Sequence, residues 1–220
     1  MPLRSRTALV AAGKGQYCPM ATLRTGFGSP FGRKARIAIC VLGLDGKVNV
    51  EPVRNQDPAD PITKQNPLGK VPVLILDDGS TLFDSPVILE YLDVLAGGGR
   101  ILPRETKARF DALRLQALAD GVLDASILIV YEGRYRPPEM AVQKWLDHQA
   151  VKVGRALAAL ETAPPGLGSP PNVGEITLAC ALAYRDFRFK GDWRKAYPRL
   201  VAWLDNFAAR VPSFAATVPQ

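Results

Sequence analysis

The chain has 220 residues, enough to bury one or two substantial cores, and its 47% apolar and 22% charged content is that of an ordinary globular protein. No apolar run reaches the ~18–20 residues that a bilayer span requires, so no membrane helix is expected. Of the formal charge of +7, three positives (Arg4, Arg6 and Lys14) lie in an acid-free first stretch, and the other cations are scattered rather than striped with aromatics, which argues against a nucleic-acid partner.

Residues 1–19 show no periodicity and too weak an apolar segment for a secretory signal, so they read as a disordered extension ahead of the first domain. Thr22–Thr25 reads as a short strand. Phe31–Leu42 follows as a helix, with apolar residues at 31, 35, 38 and 42. Val48, Val50 and Val53 around Pro52 form a second strand, placed on an edge because proline donates no ladder hydrogen bond. After an irregular stretch over 54–70, Val71–Leu76 is a continuous apolar run, as expected of a strand buried on both faces. Asp77-Asp78-Gly79-Ser80 is turn chemistry leading into Thr81–Phe83, and Val87–Leu95 is a helix stopped by Gly97-Gly98-Gly99. The order β-α-β then β-β-α, with right-handed crossover, is the thioredoxin topology. This predicts an α/β domain over 20–96, a linker over 97–106 and an all-helical domain over 107–220. Helices are expected there at roughly 106–134, 139–160, 174–188 and 197–210.

Cys18, Cys40 and Cys180 are too few and too widely spaced for a disulfide framework or a zinc site. With His148 as the only histidine, no metal is expected and a Ser-His-Asp triad has little to draw on. Asn172-Val173-Gly174-Glu175 has the form of a capping box.

The chemistry concentrates in two Ser-Pro pairs, Ser29-Pro30 and Ser85-Pro86, each opening a helix. Serine suits the N-cap and proline the first helical position, so either pair alone is an ordinary helix start. Side by side at the ends of adjacent strands, they would present two sets of free N–H groups and two positive dipole ends to an anion. Between them runs Asn66-Pro67-Leu68-Gly69-Lys70-Val71-Pro72-Val73. A cis bond before Pro72 would leave the backbone of Val71 facing outward, open to an extended peptide by strand addition.

These pieces resemble the glutathione S-transferase family, in particular bacterial members that begin with a Ser-Pro-Phe-x-Arg-Lys helix. The matching segments are Ser29-Pro30-Phe31-Gly32-Arg33-Lys34, Asn66-Pro67-Leu68-Gly69-Lys70-Val71-Pro72 and Phe83-Asp84-Ser85. In the helical half, Ala117-Leu118-Ala119-Asp120-Gly121 and Leu182 to Arg188 look like the same subgroup. The resemblance covers most of the chain. It implies a soluble, cytoplasmic homodimer with glutathione as substrate, no metal, and transfer to small electrophiles or reduction of hydroperoxides. A binding or scaffold protein with little turnover, and a glutathione-dependent lyase or isomerase, are the alternatives. By the same resemblance Ser29 would donate its hydroxyl to the glutathione sulfur, and Val71, beside Pro72, would pair with the cysteinyl backbone. Asp84 and Ser85 would hold the γ-glutamyl end, and Lys70 the glycyl end. Asp84 departs from the more usual glutamate by one methylene.

A thioredoxin or glutaredoxin needs cysteine where Ser29 stands, often with another where Gly32 stands, so protein-based disulfide exchange is excluded. Thr25, at the preceding strand end, is a fallback donor. Asp120 and Asp124 lie four apart on one helical face, and their repulsion invites a cation, either a nearby arginine or the glutathione ammonium at a subunit boundary. Phe31, Asp120, Ile127 and Tyr131 are candidates for the electrophile pocket. Core packing is an equal alternative for Ile127, Tyr131 and the neighbouring Tyr135.

Overall fold

The computed structural model describes residues 21–53, 57 and 59–219. The expected extension over 1–19 and part of the irregular stretch after Val53 lie outside them. Strand β1 (Ala21–Thr25) is central: it pairs in parallel with β2 (Val48–Pro52) and antiparallel with β3 (Val73–Leu76), which pairs with β4 (Thr81–Leu82). The order β2-β1-β3-β4 puts the Pro52 strand on the edge, where a missing N–H costs nothing. Val71 and Pro72 fall outside β3, which begins at Val73, two residues later than the apolar run suggests.

Helix α1 (Pro30–Leu42) crosses between β1 and β2 and ends on Gly43, whose φ of 68° lets its N–H reach the carbonyls of Ile39 and Cys40. The stretch after β2 contains a one-turn helix, α2 (Ile62–Gln65), that periodicity cannot reveal at four residues. Arg24 on β1 anchors it, with a two-pronged bond to Asp60 (3.1 and 2.9 Å) and a third to Gln65 Oε1 (2.7 Å). Helix α3 (Ser85–Leu95) begins one residue before Pro86. The extended Asp84 is therefore its N-cap and Ser85 already its first helical residue, which corrects the expected serine cap.

The Asp93 carboxylate accepts from the backbone N–H groups of Gly99, Arg100 and Ile101 at 2.6, 2.9 and 2.8 Å, so the glycine-rich connection is held fast against α3. The helical half comprises α4 (Thr106–Tyr135), α5 (Gln143–Thr162), α6 (Val173–Phe189), α7 (Pro198–Arg210) and the short α8 (Pro212–Ala216). Pro138–Met140 forms a separate 3₁₀ turn, so α5 starts later than the expected 139. The Asn172 box closes: Asn172 Oδ1 accepts from the N–H of Gly174 and Glu175, and Glu175 Oε2 accepts from the N–H of Asn172.

One apolar core runs through both halves, from Leu23, Ile37 and Leu89 to Leu123, Ile176 and Phe207. Helices α4 and α6 cross closely at Gly174, where a Cβ would stand 2.6 Å from the Ala112 carbonyl oxygen. Because α1 packs on α3 and on α6, its N-terminal turn sits at the seam of the two halves.

Candidate functional site

The seam begins at Ser29. Its N–H donates to the Gly26 carbonyl at 2.9 Å, which sets the turn after β1, and its Oγ accepts from the N–H of Gly32 at 3.3 Å. The hydroxyl is thereby a helix cap through a lone pair, and its own hydrogen is left to donate elsewhere. Gly32 makes this turn possible: a Cβ there would stand 1.6 Å from Thr25 Oγ1 and 2.8 Å from Thr25 Cβ. Thr25 is fully buried, and its hydroxyl donates to the Gly26 carbonyl, so it is no fallback donor to a ligand.

The corner opposite is built by Asn66, a buried residue to which the sequence reading assigned no role. Its Nδ2 donates to the Lys70 carbonyl at 3.0 Å and its Oδ1 accepts from the Leu68 N–H at 3.0 Å, folding the loop onto itself. The Val71–Pro72 bond is cis. Among the described residues the backbone of Val71 makes no hydrogen bond.

A cavity of about 150 Å³ lies between these elements. Lys70, Val71, Pro72, Asp84 and Ser85 line one side of it, and Phe31, Asp120 and Asp124 the other. Ser29 is half-buried two residues before Phe31 at the start of α1. Ser85 is buried, whereas Asp84 is exposed and its side chain makes no capping bond, which leaves the carboxylate available to a ligand. Ile127 and Tyr131 do not line this cavity. Ile127 packs against the core, and Tyr131 stands 41% exposed, edge-on to Tyr135 with the ring centroids 5.2 Å apart. His148 is exposed on α5 and stacks on Trp145.

The acidic pair on α4 meets a lysine rather than the expected arginine. Lys34 is fully buried, and its Nζ stands 2.6 Å from Asp120 Oδ1 and 5.5 Å from the centre of the Phe31 ring. Burial pushes the Asp120 carboxyl above its ordinary range, and Lys34 pulls it back. Burial raises Asp124 too, against the pull of Lys70 and then Lys34. Nothing in the local pattern of α1 announces this role for Lys34, because its partner is 86 residues away.

Among the described residues no cluster of three or more His, Cys, Asp or Glu could hold a metal ion, and no helix is long and apolar enough to cross a membrane.

Comparison with known proteins gives a consistent result. Residues 28–95 match the family model described as the glutathione S-transferase N-terminal domain, and residues 143–206 the corresponding C-terminal domain. The chain is 35% identical over 195 residues to an Escherichia coli protein called uncharacterized GST-like protein YibF, covering 87% of this chain and 95% of that one. It is 29% identical over 208 residues to a Pseudomonas aeruginosa maleylacetoacetate isomerase, covering 90% and 95%. Among solved structures, a Pseudomonas fluorescens glutathione transferase family member with bound glutathione superposes with a TM-score of 0.84 at 40% identity, covering 91% of this chain and 99% of that one.

Proposed function

Because the chain belongs to the glutathione S-transferase family, we propose that it binds glutathione in the cavity between α1, the Val71–Pro72 corner and the start of α3, and adds its thiolate to small electrophiles. The observation that carries this reading is the convergence on one cavity, beside the Ser29-capped end of α1, of a Val71 backbone and an Asp84 carboxylate that have no hydrogen-bond partner among the described residues, together with the Ser85 end of α3.

In this reading Val71 pairs with the cysteinyl backbone as an added strand would. Asp84 receives the γ-glutamyl ammonium, Ser85 its carboxylate, and Lys70 the glycyl carboxylate. Ser29 donates its free hydroxyl hydrogen to the sulfur while still capping α1. A free thiol titrates near ~8.5, and a helix N-terminus with one charge-assisted hydrogen bond lowers it by about two units, roughly 2.7 kcal/mol. Most bound glutathione is then thiolate at neutral pH, its proton released to water. The thiolate attacks an electrophilic carbon, a carbon–sulfur bond forms, and the leaving group departs with its electron pair. With a hydroperoxide, the sulfur attacks the distal oxygen, an alcohol leaves, and a second glutathione closes the disulfide with loss of water.

The reading includes a cytoplasmic homodimer. Val87 and Val94 stand exposed on α3 near the exposed Phe110 of α4, where Glu90 and Arg109 bridge the two helices at 2.6 Å; this is an apolar surface that a second copy would cover.

The isomerase relative favours one alternative, in which glutathione adds to a substrate and leaves again after a bond has rotated. Product analysis separates the two: a thioether adduct marks transfer, and glutathione recovered unchanged marks isomerisation. The central test is Ser29→Ala, with thiolate ultraviolet absorbance and conjugation and peroxidase rates read together. The variant is expected to lose the bound-thiolate signal at neutral pH and at least about tenfold in rate. Unchanged absorbance and unchanged rate would refute the assignment of Ser29, and glutathione retention with no turnover in the wild type would mark a binding protein.

A further inference from the structure

The cavity wall contributed by α1 and α4 carries a carboxylate that has no task in binding glutathione. Phe31 from α1 and Asp120 and Asp124 from α4 line that side, and Leu68, 70% exposed, lines the cavity from the Val71–Pro72 corner. Asp120 is taken, because Lys34 Nζ stands 2.6 Å from its Oδ1. Asp124 lies one helical turn further along the same face, and its side chain forms no ion pair or hydrogen bond among the described residues.

The charges around Asp124 do not cancel it once glutathione is bound. Burial raises its carboxyl, Lys70 and then Lys34 pull it down, and Asp84 in the same cavity pushes it up again. Of the two cations, Lys34 is matched by Asp120, and Lys70 is the residue assigned to the glycyl carboxylate. The lining holds three carboxylates, Asp84, Asp120 and Asp124, to one lysine, Lys70. Bound glutathione adds two carboxylates and a thiolate against a single ammonium, so the filled site is more negative still. A second substrate entering it meets the Phe31 ring, the Leu68 side chain and an unmatched carboxylate.

We infer that Asp124 is a specificity-determining residue, which selects electrophiles carrying a positive charge on an apolar or aromatic body and rejects anionic ones. The inference rests on the glutathione reading above and names the class of second substrate for that same cavity. Phe31 and Leu68 take the apolar body, and Asp124 takes the cation. Asp124 has no part in the bond making: the thiolate attacks the electrophilic carbon, the carbon–sulfur bond forms, and the leaving group departs with its electron pair. Asp124 is exposed towards solvent, so its field is partly screened. A unit charge acting over roughly 7 Å at an effective dielectric of about 40 changes a rate ratio about sevenfold, upward for a cation and downward for an anion.

The test compares conjugation of glutathione with three benzyl chlorides, bearing a para trimethylammonium, methyl or carboxylate group, by the wild type, Asp124→Asn and Asp124→Lys. It is run at about pH 8, where a carboxylate is ionised, and glutathione affinity is measured by calorimetry alongside. Each kcat/KM is divided by the rate of the same reagent with free glutathione, which removes intrinsic reactivity and the charge of glutathione itself. The wild type should favour the cation over the anion by about 50-fold, and Asp124→Asn should cut this below about fivefold while the methyl reagent changes less than about threefold. Asp124→Lys should reverse the order, which reads the same charge independently of the asparagine variant. A cation-to-anion ratio unchanged in Asp124→Asn would overturn the inference while leaving glutathione transfer intact. So would a parallel fall for all three reagents with weaker glutathione binding, which would put Asp124 on the glutathione ammonium instead. A wild type that binds no glutathione, or binds it and conjugates none of the three reagents, would remove the transfer reading itself, and the inference with it.

Discussion

Replacing Gly32 by alanine tests whether the close approach of α1 to β1 is what sets the Ser29 turn. The added Cβ would stand 1.6 Å from Thr25 Oγ1 and 2.8 Å from Thr25 Cβ. Rotating Thr25 moves its oxygen but not its Cβ, and Thr25 is fully buried on the central strand, so α1 itself must shift. Overpacking of this kind costs ~1–3 kcal/mol, and a clash with a fixed Cβ belongs at the top of that range. Alanine returns up to about 1 kcal/mol of helix propensity, which leaves a net loss of about 2 kcal/mol. For a chain of this length that is a fall in Tm of about 4–8 °C. Urea unfolding of the wild type, Gly32→Ala, Thr25→Ala and the double variant measures the coupling directly. Removing Oγ1 relieves the shorter contact, so the double variant should be more stable than the sum of the singles by about 1–2 kcal/mol. If Gly32→Ala is as stable as the wild type, or if the two changes are additive, the packing argument fails.

Two further predictions follow from the buried charges and thiols. Lys34→Met leaves the mostly buried Asp120 without its cation and should cost about 3 kcal/mol at neutral pH. Burial already holds the Asp120 carboxyl above its ordinary value, and losing Lys34 raises it further. The deficit should therefore shrink as pH falls through the folded-state value, because a protonated carboxyl needs no counter-ion. Urea unfolding at about pH 5 and about pH 8 checks this, and an equal deficit at both would contradict it. In a Cys18→Ser background, Cys40 and Cys180, pushed up to about 11 and about 12, should react with a thiol reagent at about pH 8 at least about a hundredfold more slowly than a free cysteine. Both should appear when denaturant is added, and one fast equivalent in the native protein would refute the assigned environments.

The fold was legible because its signals are local. Apolar spacing located α1, α3 and the long helices to within a few residues; Ser29-Pro30 marked a true cap, and Asn172 with Glu175 a closed capping box. The same method misplaced Ser85 by one position, because α3 opens one residue before Pro86, with the extended Asp84 at the N-cap position although its side chain makes no capping bond. It missed α2, which is one turn long and owes its place to Arg24 on another element. At the site, Phe31, Lys70, Val71, Pro72, Asp84, Ser85 and Asp120 line one cavity, whereas Ser29, two residues before Phe31, and Ile127 and Tyr131, on the same helix as Asp120, do not. A helical stripe specifies which residues share a face, but not how far along that face a neighbouring domain reaches.

What the sequence determined by itself was the order of elements, the helix ends that expose N–H groups, and the absence of cysteine where a disulfide exchanger needs it; each depends on residues within about four positions of one another. Which cation answers Asp120 and which hydroxyl at the end of β1 is sealed under a glycine were decided only in three dimensions. The partners concerned stand as far apart as Lys34 and Asp120, 86 residues along the chain, and a pairing at that range depends on how α1 is seated against the helical half.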